Sequence, residues 1–322
     1  MARAVDTNGE HLSGWGLIVV LAAVCATACF GLDFRFSGLA PILSCLLLLV
    51  AALAFAKVTM RPRLYAGANA FLLMTLFTVT GVVLSYALAA RGGALWDADL
   101  ARLDQLLGFD WPAFYQAADQ FPGLLWVGGL AYHSLPLQMI VCIVALSGAG
   151  QTLTLRTAVS AALLSGFATI LISGLVPAMG NVFDPGRYAR LWPSVAWMER
   201  DMLTGLRDGA WRTVNVSHLW GIVTFPSYHA TLPLILAWAQ RDVPWLRVLA
   251  PIWAAVTVLA TPLFGGHYGV DVLAGIAIAP VALAVASSRA WRRLEQLGRS
   301  RSAQAGFAGR RPGVNGAVDA LA

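Results

Sequence analysis

Charge is what this sequence has least of. Only 12% of its 322 residues are Asp, Glu, Lys or Arg, about half the roughly 25% of an ordinary soluble domain. That scarcity excludes a chain whose whole surface faces water. With 58% hydrophobic residues and a mean hydropathy of +0.70, it reads as an integral membrane protein. Cysteine is scarce as well. Cys25, Cys29, Cys45 and Cys142 all lie in apolar stretches, at no spacing that would make a disulfide framework or a zinc ribbon. No internal repeat is present.

What the chain does have is long apolar runs. About 20 apolar residues carry a helix across roughly 30 Å of hydrocarbon, and eight such spans are expected, near 15–32, 38–56, 67–89, 124–147, 153–177, 226–239, 246–263 and 267–287. The fold class is therefore all-α, a polytopic membrane helix bundle. The first run is expected to be an uncleaved span, because Arg3 is accompanied by Asp6 and Glu10 and the apolar stretch continues past Cys29.

Lys and Arg in short loops mark the cytoplasmic side. Lys57, Arg61 and Arg63 follow the second span, and Arg289, Arg292, Arg293, Arg299, Arg301, Arg310 and Arg311 follow the eighth. The interval between spans three and four holds Asp97, Asp99, Asp104, Asp110 and Asp119 against Arg91 and Arg102. Eight spans with both termini inside satisfy this pattern, and they put the 178–225 loop and the 263–267 turn outside. The net charge of +6 thus reports topology and suits contact with anionic lipid, not nucleic-acid binding. The stretch 97–120 reads as amphipathic and lying along the outer surface. The Gly-, Ser-, Ala- and Arg-rich stretch from about 298 onward reads as disordered. Several of the twelve Trp, among them Trp15, Trp96, Trp111, Trp126, Trp192, Trp245 and Trp291, fall near span ends as interfacial anchors.

The polar residues inside the apolar sequence carry the chemistry. In "FGGHYGVDVLAG", residues 264–275, His267 and Asp271 stand four apart, on one face of a helix. A carboxylate on one imidazole nitrogen fixes the tautomer and makes the other nitrogen a better base or nucleophile. A buried pair that only satisfies itself is the competing explanation. In "TFPSYHATLP", residues 224–233, Pro226 and Ser227 open a helix ahead of His229, at the same expected boundary. A helix N-terminus offers free N–H groups and a positive dipole end to an anion, with phosphate the natural guest. Two histidines, a carboxylate, a serine and a helix start suit phosphoryl transfer through a phosphohistidine, with no metal or cofactor required.

Pro226-Ser227-x-His229 followed by Gly266-His267-Tyr268-x-x-Asp271-Val272-x-x-Gly275 resembles the type-2 phosphatidic acid phosphatase superfamily. The resemblance is firm over roughly 220–280 and extends to about 97, where "LARLDQLLGFDWPAF" looks like the lead-in of bacterial members related to Aur-type inositol phosphorylceramide synthases. It implies a six-helix catalytic core over 67–290, with residues 1–66 as two additional helices and 291–322 as a basic cytoplasmic tail. It also implies that His267 attacks phosphorus, Asp271 orients it, His229 protonates the departing oxygen, and Ser227, Gly266, Tyr268 and nearby amides hold phosphoryl oxygens. Dephosphorylating members carry an Arg six residues before the nucleophile, where this chain has Thr261, and their upstream Lys-x6-Arg-Pro motif is absent; Lys57-x3-Arg61-Pro62 has the wrong spacing.

A transferred phosphoryl group still needs a cation, so the loop arginines Arg187, Arg190, Arg200, Arg207 and Arg212 are candidates, with Arg187 in "DPGRY" first and Arg212 second. His133 and Gln138 in "AYHSLPLQ" are candidate cavity residues, and His218 is ambiguous. The expected activity is transfer of a phosphate-linked headgroup from a phospholipid to a lipid hydroxyl, on the outer face of a bacterial plasma membrane. The alternatives are a lipid phosphate phosphatase acting on phosphatidate, phosphatidylglycerophosphate or a polyprenyl diphosphate, a proton-relaying transporter or lipid-binding protein, and a zinc enzyme using two His and one Asp.

Overall fold

The computed structural model describes residues 12–291. The chain is an all-α helix bundle, and six of its helices are long and apolar enough to cross a bilayer; it is a multi-pass membrane protein. In chain order the helices are α1 (Leu12–Gly31), α2 (Leu39–Val58), α3 (Pro62–Ala90), α4 (Asp97–Leu106), α5 (Trp111–Asp119), α6 (Pro122–His133), α7 (Leu135–Gly148), α8 (Thr152–Leu175), α9 (Val195–Asp208), α10 (Tyr228–Ala239), α11 (Leu246–Gly265) and α12 (Gly269–Ser287). The basic tail and the first charged residues expected from sequence lie outside the described residues.

Of the eight expected spans, the one near 226–239 is the short one. The helices long and apolar enough for a pass are α1, α2, α3, α8, α11 and α12, and the α6–α7 pair makes a seventh when taken together. The α6–α7 pair is bent by 56° at its break, and α10, which falls where the sixth span is expected, has only 12 residues, about 18 Å of helix against roughly 30 Å of hydrocarbon. The chain leading into α10 is non-helical from Val216 to Ser227, with Thr224 and Ser227 buried in protein. Irregular backbone at such a depth is tolerated where protein surrounds it.

The bend in the fourth pass has a local cause. Pro136 in the first turn of α7 cannot donate to the preceding turn. The buried carbonyl of Ala131 at the break accepts from Ser134 Oγ (2.9 Å), Gln138 Nε2 (3.1 Å) and Thr257 Oγ1 (3.3 Å). Gln138 also donates to Thr257 Oγ1 at 3.0 Å. Gln138 thus patches the break and ties it to α11.

One apolar core joins Ile18, Leu21, Cys25 and Cys29 of α1 to residues of α3, α8, α10 and α12. Two short parallel strands, β1 (Arg35–Ser37) and β2 (Thr213–Asn215), pair in register and fasten the α1–α2 connection to the segment after α9. At one end of the bundle Gly150 abuts Arg63 and Gln151 donates to the carbonyl of Asp242 (3.3 Å), which gathers the α2–α3, α7–α8 and α10–α11 connections. The starts of α10 and α12 lie together at the other end, where the Ser227 N–H donates to the Asp271 carbonyl (3.0 Å).

Within the 97–120 stretch, expected to lie along the outer surface, the carboxylates clamp backbone. Asp97 accepts from the N–H groups of Met179 and Gly180 (2.9 Å each). Asp104, fully buried, accepts from the Gly269 and Val270 N–H groups (2.7 and 2.8 Å) and from Trp111 Nε1 (2.8 Å). Asp119 accepts from the N–H groups of Ala189, Arg190 and Leu191.

Replacing Gln138 by Leu leaves the bend without its side-chain amide. The expected loss is about 1–3 kcal/mol of unfolding free energy, measured as a lower denaturation midpoint in detergent; an unchanged midpoint would mean that the break is held by other contacts.

Candidate active site

The turn between α11 and α12 sets the first histidine. Gly266 ends α11 in the left-handed region (φ 74°) and its carbonyl accepts from the Asn181 N–H (2.7 Å). A Cβ at that position would lie 2.6 Å from the Ala196 methyl, so only glycine fits. His267 follows, and Tyr268 caps α12. The Asp271 carboxylate reaches back to accept from the Tyr268 N–H (2.8 Å) and stands 3.4 Å from His267 Nδ1. That separation is an ion-pair distance without hydrogen-bond alignment, since His267 Nδ1 and Asp271 Oδ1 have no hydrogen-bond partner in the protein. Catalytic hydrogen bonds are often long before substrate arrives. With Nδ1 turned to Asp271, Nε2 is the nitrogen left for chemistry.

The second histidine is held by an aromatic ring. His229, in the first turn of α10, stacks on Tyr132 with centroids 4.3 Å apart and planes 16° from parallel. His229, His267, Tyr132 and Gly265 line one narrow cleft that opens to solvent. A Cβ on Gly265 would sit 2.9 Å from the Tyr132 hydroxyl and 3.2 Å from His267 Nε2. Gly265 therefore leaves room between those two groups, and Tyr132 links the two histidines, its ring against one and its hydroxyl near the other.

The two helix starts meet because of Gly275. Its missing Cβ would lie 2.3 Å from the Ser227 carbonyl oxygen, and Thr231 Oγ1 donates across the same gap to the Gly275 carbonyl (2.8 Å). Ser227 is the N-cap residue of α10, fully buried, with its Oγ unpartnered.

The cationic lining comes from α9. Arg200 borders the cleft, with its guanidinium 3.9 Å from the Trp197 ring centroid, NH1 donating to the Trp197 carbonyl (3.0 Å), and Asp201 at 3.4 Å. The two arginines ranked first from sequence lie elsewhere. Arg187 is exposed and paired with Asp184 at 3.6 Å. Arg212 donates to the Leu206 and Trp211 carbonyls and lies over Phe34. Neither borders the cleft. Nor does Thr261, which is buried and donates to the Thr257 carbonyl at 2.8 Å within α11.

Tyr268 turns away from the histidines. Its hydroxyl contacts Asp97 Oδ1 (3.1 Å) and the Gly180 carbonyl (3.3 Å), so it fastens α12 to the outer loops. His133 is exposed and edge-on to Tyr132, and His218 sits in a loop against Ser217 Oγ (2.8 Å). Among the described residues no three His, Cys, Asp or Glu side chains gather to hold a metal.

Two cleft residues went unnoticed in the sequence. Tyr132 precedes a histidine that drew attention instead. Glu199 lines the cleft from α9 and is only 8% exposed, with Oε1 unpartnered; burial pushes its carboxyl up to about 8. A buried acid next to a loop arginine has no periodicity to mark it in one sequence.

Gly275→Ala forces α10 and α12 apart at the site. It is expected to cost about 1–3 kcal/mol of stability through overpacking and to lower activity with it. Gly16→Ala, where nothing lies within 4 Å of the added methyl, is the control. Equal behaviour of the two variants would contradict the close-approach role.

A family model described as the PAP2 superfamily matches residues 98–285, from the start of α4 nearly to the end of α12. No curated protein and no solved structure matches the chain. The match spans more than half of the 322 residues and contains the whole of the cleft's histidine and aspartate set: the chain belongs to the PAP2 superfamily.

Proposed function

We propose that this membrane enzyme moves a phosphate-linked headgroup from one lipid to the hydroxyl of another through a covalent intermediate on His267. The observation that carries the reading is the shared cleft of His229, His267 and Arg200, with Asp271 on the far nitrogen of His267. Membership of the PAP2 superfamily supports a phosphoric-ester hydrolase or transferase acting on lipid phosphates in a membrane.

In this reading His267 Nε2 attacks phosphorus while the bond from phosphorus to the lipid alcohol breaks. His229 gives the departing oxygen its proton. His229 then takes the proton of the incoming hydroxyl, whose oxygen bonds to phosphorus as the N–P bond opens and His267 is restored. Asp271 stabilises the imidazolium-like charge on the attacking ring, and Arg200 offsets the charge on the equatorial oxygens. Ser227, the N-cap of α10, does not border the cleft and supports the site through its N–H on the Asp271 carbonyl. We assign catalysis to 67–290, with the first two helices accessory to it.

The transferase reading over simple hydrolysis is favoured by Thr261, which stands where dephosphorylating members keep an Arg, and by the sequence likeness to inositol phosphorylceramide synthases. Water in place of the second alcohol gives the phosphatase reading, which the superfamily accommodates equally. We further propose that the cleft faces away from the cytoplasm, because the connections bearing Lys57, Arg61, Arg63 and Arg241 gather at the bundle end remote from the histidines.

Purified protein with a headgroup-labelled phospholipid tests the reaction. Label is expected on an added acceptor lipid, with little released in its absence; rapid release of phosphate without acceptor would overturn the transferase reading. His267→Ala is expected to lower turnover by at least about 10³-fold and His229→Ala by about 10²–10⁴-fold.

A further inference from the structure

Glu199 is an odd group to find in a cleft for phosphate. It projects from α9 on the face that also carries Val195, Ala196, Arg200 and Leu203, all bordering the same space as the two histidines. It has no salt-bridge partner among the described residues, its neighbour Arg200 pairing with Asp201 instead, and its Oε1 is buried without a hydrogen bond. An acceptor oxygen buried in this way carries a desolvation cost unless something donates to it. A phosphate diester has no proton to give, and an ionised carboxylate would repel it. A hydroxyl on the alcohol joined to that phosphate does have a proton to give.

We propose that Glu199 is the residue that reads a hydroxyl on the phosphate-linked headgroup, selecting polyol headgroups over those without a free hydroxyl. The proposal rests on the reading above that the cleft takes a phosphate-linked lipid headgroup.

The electrostatics agree with it. Burial pushes the Glu199 carboxyl up to about 8, which favours its neutral form and weakens repulsion towards phosphate. A neutral carboxyl both donates and accepts, which suits a hydroxyl. The ionisable groups around it are Tyr86 of α3, Tyr132 of α6, His229 of α10, His267 ahead of α12 and Arg200 on its own helix. Two histidines and an arginine already serve the anion, leaving Glu199 for the uncharged part of the ligand.

The test is equilibrium binding of soluble headgroup phosphates to the purified full chain in detergent: glycerol 3-phosphate, methyl phosphate and phosphoethanolamine, each against wild type, Glu199→Ala and Glu199→Gln. Wild type is expected to prefer glycerol 3-phosphate over methyl phosphate. That ratio should fall about tenfold in Glu199→Ala, the loss of one hydrogen bond, and stay within about threefold in Glu199→Gln, whose amide also donates and accepts. The ratio cancels any general loss of affinity or folded fraction. A wild type that does not discriminate, a ratio unchanged in Glu199→Ala, or a selective loss of phosphoethanolamine that Gln fails to rescue would each overturn the proposal, the last by showing an amine-binding carboxylate. Because binding needs no turnover, failure to form a phosphoenzyme would remove the proposed reaction without altering this result.

Discussion

The carboxylate of Asp104 holds the first turn of α12 in place, and the site is built on that turn. Its two oxygens take the N–H groups of Gly269 and Val270 at 2.7 and 2.8 Å, groups that a helix start otherwise leaves open. A negative charge there also complements the helix dipole. With the turn pinned, Asp271 can reach back to the Tyr268 N–H and face His267. Asp97 and Asp119 act in the same way on the 179–180 and 189–191 backbones. A chain with few charges thus uses three aspartates of one segment as backbone clamps around its histidines.

Close approach is the second constraint. Gly266 gives the turn its left-handed residue beside Ala196, and Gly275 lets α12 touch the carbonyl that begins α10. These two glycines bring together residues almost forty positions apart in sequence. Tyr132 then joins a third helix by stacking on His229, and α9 closes the cleft with one cation and one buried acid.

Much of this was legible in the sequence. Apolar runs marked every pass, and the His267–Asp271 spacing with the Pro226-Ser227-x-His229 segment named the residues that the fold brings to one end. Short-range signals failed where tertiary contacts decide. Pro136 marks the break in the α6–α7 pair, but the side chains that satisfy it, Ser134, Gln138 and Thr257 of α11, become partners only in the fold. The clamping role of the aspartates has no local signal because the backbone groups they hold are 70 to 166 residues distant. Arg187 looked better placed than Arg200 by position after a span, yet the cleft takes its arginine from α9, whose orientation depends on packing against α3 and α11.

The account turns on His267 becoming covalently phosphorylated. Its most direct test is rapid quench of the purified protein with phosphorus-labelled lipid, followed by peptide mass spectrometry. The expected result is an acid-labile, base-stable phosphoryl group on the peptide holding His267, absent from His267→Ala and formed more slowly in His229→Ala. Turnover of lipid with no label on that peptide at any time, or full activity in His267→Ala, would contradict it.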